Sequence, residues 1–320
     1  MRARTLALLA VKLAISAGAL VYVGRQIDFE ALKNHIPNPW SWHFLVAEIC
    51  FLAAFWISVH RWHLILKWQG QDVPLSPLWI IAWISNFFAM LLPGGIGRDI
   101  SRGVYLTRFQ IGALKITRSI LTDRFIGLVT VVILSVPCMI FALTVPGPLV
   151  PLGWMLLALC VGLPAGLWFC HEVDRRYRGL ETGPGGPWMA RLIHAGAAIL
   201  RDFREPRLFG LPFLQSCLMM GATILCVMSI AGATGGLSAP LWSQPLFLPA
   251  ILLLSQLPIS IAGIGVREAA FVSLFGAVGA SAEQALSLSL AYFTLAVLNN
   301  LTGGLAYLMF RPRKTPPASA

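Results

Sequence analysis

Six stretches of this chain are apolar for long enough to cross a lipid bilayer as α-helices. They cover residues 5–23, 43–60, 120–143, 149–170, 208–232 and 284–310. A helix rises about 1.5 Å per residue, so about 20 apolar residues cross a hydrocarbon core of about 30 Å. Only helices and closed barrels can span a bilayer. These runs therefore predict an all-α, polytopic membrane protein.

The composition agrees with a membrane protein. Hydrophobic residues make up 57% of the chain and charged residues only 12%, whereas about 25% of residues are charged in a typical soluble domain. The formal net charge is +11, which on a soluble protein would indicate nucleic-acid binding. In a membrane protein the cytoplasmic loops collect Lys and Arg, so we expect no nucleic-acid partner.

Two further apolar windows, 77–92 and 245–257, are too short to cross, and each runs into a break of similar sequence. The breaks are Leu-Pro-Gly-Gly-Ile-Gly-Arg-Asp at residues 92–99 and Leu-Pro-Ile-Ser-Ile-Ala-Gly-Ile-Gly-Val-Arg-Glu at residues 257–268. Irregular backbone at membrane depth is tolerated where it is buried in protein or lines a cavity. Because a second apolar arm follows each break, we predict two re-entrant helical hairpins. The residues expected to end the helices are Pro93, Gly94, Gly95, Gly97, Pro258, Gly263 and Gly265.

The basic residues predict that the two hairpins enter from opposite faces of the bilayer. With a cytoplasmic N-terminus and re-entrant hairpins, residues 98–118, the loop 171–207 and the C-terminal tail lie on or near the cytoplasmic face. A complete crossing by 77–92 puts the basic residues of 98–118 outside, against the positive-inside rule. We therefore predict a bacterial cytoplasmic (inner) membrane protein with both termini cytoplasmic. A retained first helix is favoured over a cleaved signal peptide.

The order of the segments repeats within the chain. Residues 1–148 and 149–310 each read span, span, hairpin, span, and each half crosses an odd number of times. Inverted repeats with interrupted helices at matching places are typical of secondary transporters, where the interruptions mark the binding site. We expect a single membrane domain over residues 1–320, with a cytoplasmic loop at 171–207 and a disordered tail at 311–320.

Charged residues beside the breaks are the main candidates for function. A charge at bilayer depth costs at least about 3 kcal/mol, so it is kept where it is paired or faces water. Arg98 and Arg102 are four residues apart and share one helical face, where two forked donors suit a phosphate. Ordinary positive-inside charge is the alternative for them. The candidates for a lipid-headgroup cavity are Arg98, Asp99, Arg102, Asp123, Arg124, Arg267 and Glu268.

The partners of these charges are also predicted. Arg267 and Glu268 are neighbours, about 100° apart on a helix, and are expected to pair poorly with each other. We therefore predict that Arg98 pairs with Glu268. Arg267 is expected to pair with Asp99 or Asp123, so that both pairs surround a central cavity. A helix-entry acid near the N-terminal dipole is the alternative for Asp123.

Four other polar residues lie within apolar windows. Lys12 and Glu48 are within about 10 Å of the ends of their helices, and long side chains at that depth reach the interface. Asn299 and Asn300 in the last span are expected either to hold helices together or to line the cavity.

The sequence offers no chemistry of its own. We find no nucleophile with a base at a useful spacing and no ATP-binding motif. His60 and His63 have helical spacing but no third metal ligand. The six cysteines lack metal or redox spacing and are interpreted as small apolar residues. We therefore predict no catalytic residue, no cofactor and no metal site.

The second break resembles the signature of the lysylphosphatidylglycerol synthase transmembrane-region family, the flippase-like domain of aminoacyl-phospholipid synthases. The run 257–271 carries the resemblance, together with Leu274-Phe275 and Gly279. The stretch 92–106 and residues 122–125, Thr-Asp-Arg-Phe, are similar to the family's first-half pattern. Ala262 stands where glycine is common. We expect a standalone member without the C-terminal synthase domain, so the resemblance implies lipid handling and not lysyl transfer.

The leading hypothesis is a lipid flippase or translocase that moves a polar-headgroup lipid between inner-membrane leaflets. Its expected partners are membrane lipids, either an anionic or aminoacylated phospholipid or a glycolipid or polyprenyl lipid. One alternative is a non-catalytic membrane subunit that presents lipid to a separate synthase or glycosyltransferase. The other is an intramembrane lipid transferase with Glu268 as its base.

Overall fold

The computed structural model describes residues 38–91, 95–145, 149–177, 206–256 and 263–309, with isolated positions between 18 and 35. Within these residues the chain forms ten α-helices and one turn of 3₁₀ helix, Thr107–Phe109, and no β-strand. The helices are α1 (Trp42–Trp68), α2 (Leu75–Leu91), α3 (Ile96–Leu106), α4 (Ala113–Leu134), α5 (Val136–Thr144), α6 (Val150–Tyr177), α7 (Pro206–Ala233), α8 (Ser243–Gln256), α9 (Val266–Gly276) and α10 (Ala282–Met309).

Four helical segments are long and apolar enough to cross a membrane, and the predicted all-helical membrane protein is confirmed. These segments are Trp42–Trp68, Ala113–Thr144, Gly210–Ala233 and Ala282–Met309. Two apolar helices are shorter, Leu75–Met90 in α2 and Val150–Gly166 in α6. Most of the window 5–23, most of the loop 171–207 and the tail lie outside the described residues. The count of six spans therefore stays a prediction.

Helices α1 and α7 pack against each other and run antiparallel. At one end Gly232 meets the ring of His43 so closely that a methyl group there would lie 2.5 Å from His43 Cδ2. At the other end Arg61 Nη1 donates to Ser216 Oγ at 2.6 Å. We call these the His43 end and the Arg61 end of the molecule. Glycine at position 232 allows the two helices to approach closely.

Helices α2 and α3 form the first hairpin, which follows α1 at the Arg61 end. Gly95 is the N-cap of α3 and has φ +69°, a left-handed conformation that glycine adopts readily. Gly97 lies against the backbone carbonyl of Phe88, where any side chain would clash. The two arms therefore pack with backbone against backbone at the tip of the hairpin.

Helices α8 and α9 form the second hairpin, which follows α7 at the His43 end. Gly263 has φ +77° and lies so close to α8 that a methyl group there would be 3.0 Å from Ser255 O. Phe247 near the start of α8 and Phe275 near the end of α9 have ring centroids 5.5 Å apart. The end of α9 therefore lies beside the start of α8, near the His43 end of the molecule. Gly265 is the N-cap of α9 at φ +84°. The other predicted break residues, Pro93, Gly94 and Pro258, lie outside the described residues.

The two hairpins begin at opposite ends of the molecule, because α1 and α7 are antiparallel. Each hairpin packs on a long helix of the other half of the chain. Helix α2 crosses α10, where Gly303 meets the backbone of Trp83 and Gly304 meets the ring of Phe87. Helix α8 packs on α4. The glycines of α10 let α2 lie unusually close to it.

Candidate functional site

Asp123 of α4 is the centre of a buried ion cluster near the Arg61 end. Its Oδ1 accepts a hydrogen bond from Arg61 Nε at 2.9 Å, and its Oδ2 accepts one from Arg102 Nη1 at 3.1 Å. All three residues are buried, with Asp123 only 5% exposed. Burying an ion costs several kcal/mol unless good geometry and further hydrogen bonds offset it. One carboxylate therefore joins α1, α3 and α4.

Arg61 is the member of this cluster that the sequence analysis missed. It follows an apolar window, where a basic residue is ordinarily a flanking charge, and its spacing does not relate it to Asp123. The feature that marks Arg61 as a buried residue is its position well inside the helix instead of at the helix end. Arg61 lies seven residues before the end of α1, which places it about 10 Å inside the helix.

Arg102 and Arg98, predicted to share one face of α3, have different surroundings. The guanidinium of Arg102 is buried and stacks over Trp62, with Cζ 4.3 Å from the ring centroid. Its Nε has no acceptor within the described residues. Arg98 is exposed and forms no ion pair with a described carboxylate, although Asp123 is within electrostatic range. Both arginines therefore keep donors available for a ligand.

Arg124 and Asp99 form the rim of the cluster. Arg124 Nε lies 2.7 Å from Asp99 Oδ2, and the two side chains are 45% and 27% exposed. Arg124 Nη2 also donates to the carbonyl of Gly95 at 2.9 Å. An exposed ion pair contributes about 0–1 kcal/mol to stability. This pair fixes the start of α3, and with it Arg98, against α4.

Among the described residues the cluster carries a positive charge. Four guanidinium groups of this part of the chain face two carboxylates, which leaves an excess of two positive charges. The free backbone N–H groups at the start of α3 add further positive potential. An anion with several oxygens, such as a phosphate, matches both the charge and the forked donors. The charged members are Arg61, Arg98, Asp99, Arg102, Asp123 and Arg124.

Arg267 and Glu268 form a second buried cluster, in which they pair with each other. Arg267 Nε donates to Glu268 Oε1 at 3.0 Å and to Ser289 Oγ at 3.2 Å, and Arg267 Nη2 donates to Glu268 Oε1 as well. Glu268 Oε2 accepts from the N–H of Gly265 at 2.7 Å, which caps α9. The guanidinium stacks on Phe293, with Cζ 4.3 Å from the ring centroid. Within the described part of the chain, this second cluster pairs one guanidinium with one carboxylate, so its net charge is zero.

The predicted cross-pairs between the two breaks are wrong. Arg267 pairs with the adjacent Glu268, and Arg98 makes no contact with Glu268. The angle between the neighbouring residues does not keep them apart, because Glu268 folds back over the first turn of α9 toward the Gly265 N–H. The long side chain of Arg267 then reaches the same carboxylate. Of the predicted site residues, the structure brings together Arg98, Asp99, Arg102, Asp123 and Arg124, and it places Arg267 and Glu268 in the second cluster.

The chain has helices long enough to cross a membrane, and a buried ion cluster lies beside each of its two helical hairpins. These features define a multi-pass membrane protein with polar groups held inside its helix bundle. The chain belongs to the family described as the lysylphosphatidylglycerol synthase TM region, whose model matches residues 9–303. The predicted family is thereby confirmed over nearly the whole chain. No curated protein matches the chain. Membership of the family assigns it a lipid-related function in the membrane.

Proposed function

We propose that this protein is a translocase of the bacterial inner membrane, which moves a phosphate-bearing lipid headgroup between leaflets while the acyl tails stay in the bilayer. The proposal depends on the two sets of available donors on α3, those of exposed Arg98 and the buried Nε of Arg102. A buried donor without a partner costs about 1–3 kcal/mol. A phosphodiester that accepts from Arg102 and meets Arg98 removes that cost.

The proposed architecture has six spans and two re-entrant hairpins, with residues 1–148 and 149–310 as an inverted repeat. Its support is that the helix contacts of one half recur in the other. Helix α1 packs on α2 and α4, as α7 packs on α8 and α10, and α2 packs on α3 as α8 packs on α9. The crossed contacts recur too, α2 with α10 and α8 with α4. A twofold axis between α1 and α7 generates all these pairs, as inverted repeats do.

The proposed orientation puts the Arg61 end, and both termini, in the cytoplasm. Exposed Lys67, Arg108 and Lys115 all lie near that end, in agreement with the positive-inside rule. Exposed Trp42 and Trp242 lie at the His43 end, and tryptophan is typical of a membrane interface. With this orientation the first hairpin opens to the cytoplasm and the second opens to the outside.

In the proposed mechanism a lipid phosphate first binds Arg98 and Arg102 beside the start of α3. Asp123 orients Arg102 and limits the positive charge of the buried cluster, while Arg124 holds the start of α3. Opening of the second hairpin lets Arg267 exchange its carboxylate partner for the phosphate. A cationic part of the headgroup, where there is one, is neutralised by the carboxylates of the two clusters.

A vesicle assay tests the translocase. Purified protein is reconstituted with a fluorescent phospholipid, and an impermeant reductant bleaches only the outer leaflet, so lipid movement appears as loss of the protected fraction. We expect Arg98→Ala to slow movement about tenfold, since a hydrogen bond to a charged group contributes about 1.5–3 kcal/mol. Arg102→Ala is expected to be at least as slow.

The matched control is Arg108→Ala, which removes an exposed arginine that stacks on Tyr105 with Cζ 5.0 Å from the ring centroid. This variant is expected to move lipid at the wild-type rate. Wild-type rates in Arg98→Ala and Arg102→Ala vesicles overturn the headgroup site. Absence of protein-dependent movement in wild-type vesicles overturns the translocase itself.

A second candidate function is favoured by the family description, which names the membrane region of a synthase. The protein is then a membrane subunit that presents lipid to a separate lipid-modifying enzyme or glycosyltransferase. This candidate predicts no lipid movement by the purified protein and stable co-purification with an enzyme. The same vesicle assay therefore separates the two functions.

A further inference from the structure

Arg98 of α3 is an exposed side chain on the buried face of its helix. With about 3.6 residues per turn, the residues that share its face lie three, four and seven positions further on. All three are buried, and they are Ser101, Arg102 and Tyr105. The exposed surface of Arg98 therefore belongs to a recess on the protein side of α3, where a ligand reaches the guanidinium.

The opposite face of α3 is apolar and exposed. Ile96, Ile100 and Val104 recur on it at intervals of four, and each is more than half exposed. An amphipathic helix with such a face lies at the level of the lipid headgroups, with its apolar side toward the acyl tails. A lipid whose tails contact this face has its headgroup beside the start of α3, where Arg98 lies. The ligand that suits the recess is therefore a lipid and not a soluble molecule.

Arg102 supplies an inner position for a ligand, one turn and about 6 Å further along α3 than Arg98. Its guanidinium is bound to the carboxylate of Asp123 and stacked on the ring of Trp62, so it is not free to swing out and join Arg98. Arg102 Nε and Trp62 Nε1 are both buried donors without an acceptor in the described part of the chain, which is destabilising until a ligand supplies one. Arg61 shares the same carboxylate, so two guanidinium groups face one carboxylate and an excess of one positive charge is left at this position.

Arg98 and the start of α3 form an outer position. The rim pair of Arg124 and Asp99 is neutral in itself. The charge of Arg98 is left over, since it forms no ion pair with a carboxylate of the described residues. The first N–H groups of α3 add to the attraction for an anion. Each of the two positions therefore suits an anionic group with one negative charge.

We infer that the headgroup bound by this site carries a diphosphate, with one phosphate at Arg102 and the other at Arg98. A phosphodiester has a single negative charge, whereas a diphosphate with a substituent at each end has one on each phosphate. A phosphate monoester has a similar total charge, but its single phosphate leaves one of the two positions without a ligand. This inference rests on the proposed headgroup site and narrows its ligand.

Lipid binding to the purified full chain in detergent tests the ligand without any transport. Native mass spectrometry measures dissociation constants for three lipids with the same acyl tails. They are phosphatidylglycerol, a phosphodiester; phosphatidic acid, a phosphate monoester; and cytidine diphosphate diacylglycerol, a diphosphate diester. We expect the diphosphate lipid to bind at least about tenfold more tightly than the other two, because its second phosphate makes a further charge-assisted hydrogen bond. Equal affinity for phosphatidic acid overturns the diphosphate, since total charge then accounts for the binding.

Arg98→Ala tests the outer position. We expect it to weaken binding of the diphosphate lipid at least about tenfold and to remove most of its preference over phosphatidic acid. The matched control is Arg108→Ala, which changes an exposed arginine in the turn after α3 and should keep the preference. A preference that survives in Arg98→Ala overturns the inference, because the nucleoside and not the second phosphate is then recognised.

Competition by inorganic pyrophosphate separates a lipid from a free diphosphate. Because pyrophosphate has no apolar tails, we expect it to displace the diphosphate lipid only at a concentration at least about a hundredfold higher than that of the lipid. Displacement at equal concentration overturns the assignment to a lipid.

The outcomes also separate this inference from the proposed translocase. If none of the three lipids binds, the headgroup site and the diphosphate are both overturned. If the diphosphate lipid is preferred but no lipid moves in the vesicle assay, the translocase fails and the diphosphate site stands.

Discussion

Arg124 of α4 donates a 2.9 Å hydrogen bond to the carbonyl of Gly95, the residue at which α3 begins. The same guanidinium lies 2.7 Å from the carboxylate of Asp99. One side chain of a membrane-length segment thus holds both the turn of the first hairpin and the first turn of its second arm. The position of Arg98, and with it the proposed phosphate site, is therefore set by α4.

Arg124→Ala should loosen the start of α3 without unfolding the protein. The pair with Asp99 is partly exposed, so we expect a loss of less than about 1 kcal/mol in the free energy of unfolding. Amide hydrogen exchange at residues 95–99 should nevertheless become at least about fivefold faster, which corresponds to about 1 kcal/mol of local stability. Arg108→Ala is the control, and equal exchange in the two variants contradicts the clamp.

Two glycines of α3 should respond in opposite ways to alanine. Gly97→Ala forces a methyl group into the carbonyl of Phe88 and should lower the free energy of unfolding by about 1–3 kcal/mol. Gly103 has room for a methyl group, which would make an ordinary van der Waals contact with Ile116 Cγ2 at 3.9 Å. Gly103→Ala should therefore raise stability by about 0.5–1 kcal/mol. Thermal unfolding in detergent measures the stability of both variants. If the two substitutions destabilise the protein equally, the close contact between Gly97 and Phe88 at the tip of the first hairpin is contradicted.

Asp123→Asn should be strongly destabilising, because it leaves Arg61 and Arg102 buried without a counter-charge. Breaking a buried ion pair from one side costs about 3–5 kcal/mol. Asp99→Asn, at the exposed rim of the same cluster, should cost about 1 kcal/mol or less. Similar melting temperatures for the two variants are incompatible with Asp123 as the centre of the cluster.

The second cluster should recover when both of its charges are removed together. Glu268→Gln alone strands buried Arg267 and should cost about 3–5 kcal/mol. Adding Arg267→Met replaces the stranded cation with an apolar side chain, and should restore at least about half of that loss. The double-mutant cycle is measured by thermal unfolding in detergent. If the two costs simply add, the residues do not form a coupled pair.

The features that follow from the sequence are those whose cause is local. Proline, glycine and runs of apolar residues act within a few positions, so the helices and the places where α2 and α8 end follow the sequence pattern closely. The partners of the charges follow from contacts between distant segments. Arg61 and Asp123 are 62 residues apart, and no spacing rule connects them. Arg267 and Glu268 were assigned to remote partners because helical angles alone ignore how far long side chains reach.

Helix α2 packs closely on Gly303 and Gly304 of α10, and α8 packs on α4. Neither hairpin rests only on its own half of the chain. In the proposed translocase, we therefore expect a displacement of one hairpin to be transmitted to a long helix of the opposite half. The two proposed entrances are then expected to open in a coupled way and not independently.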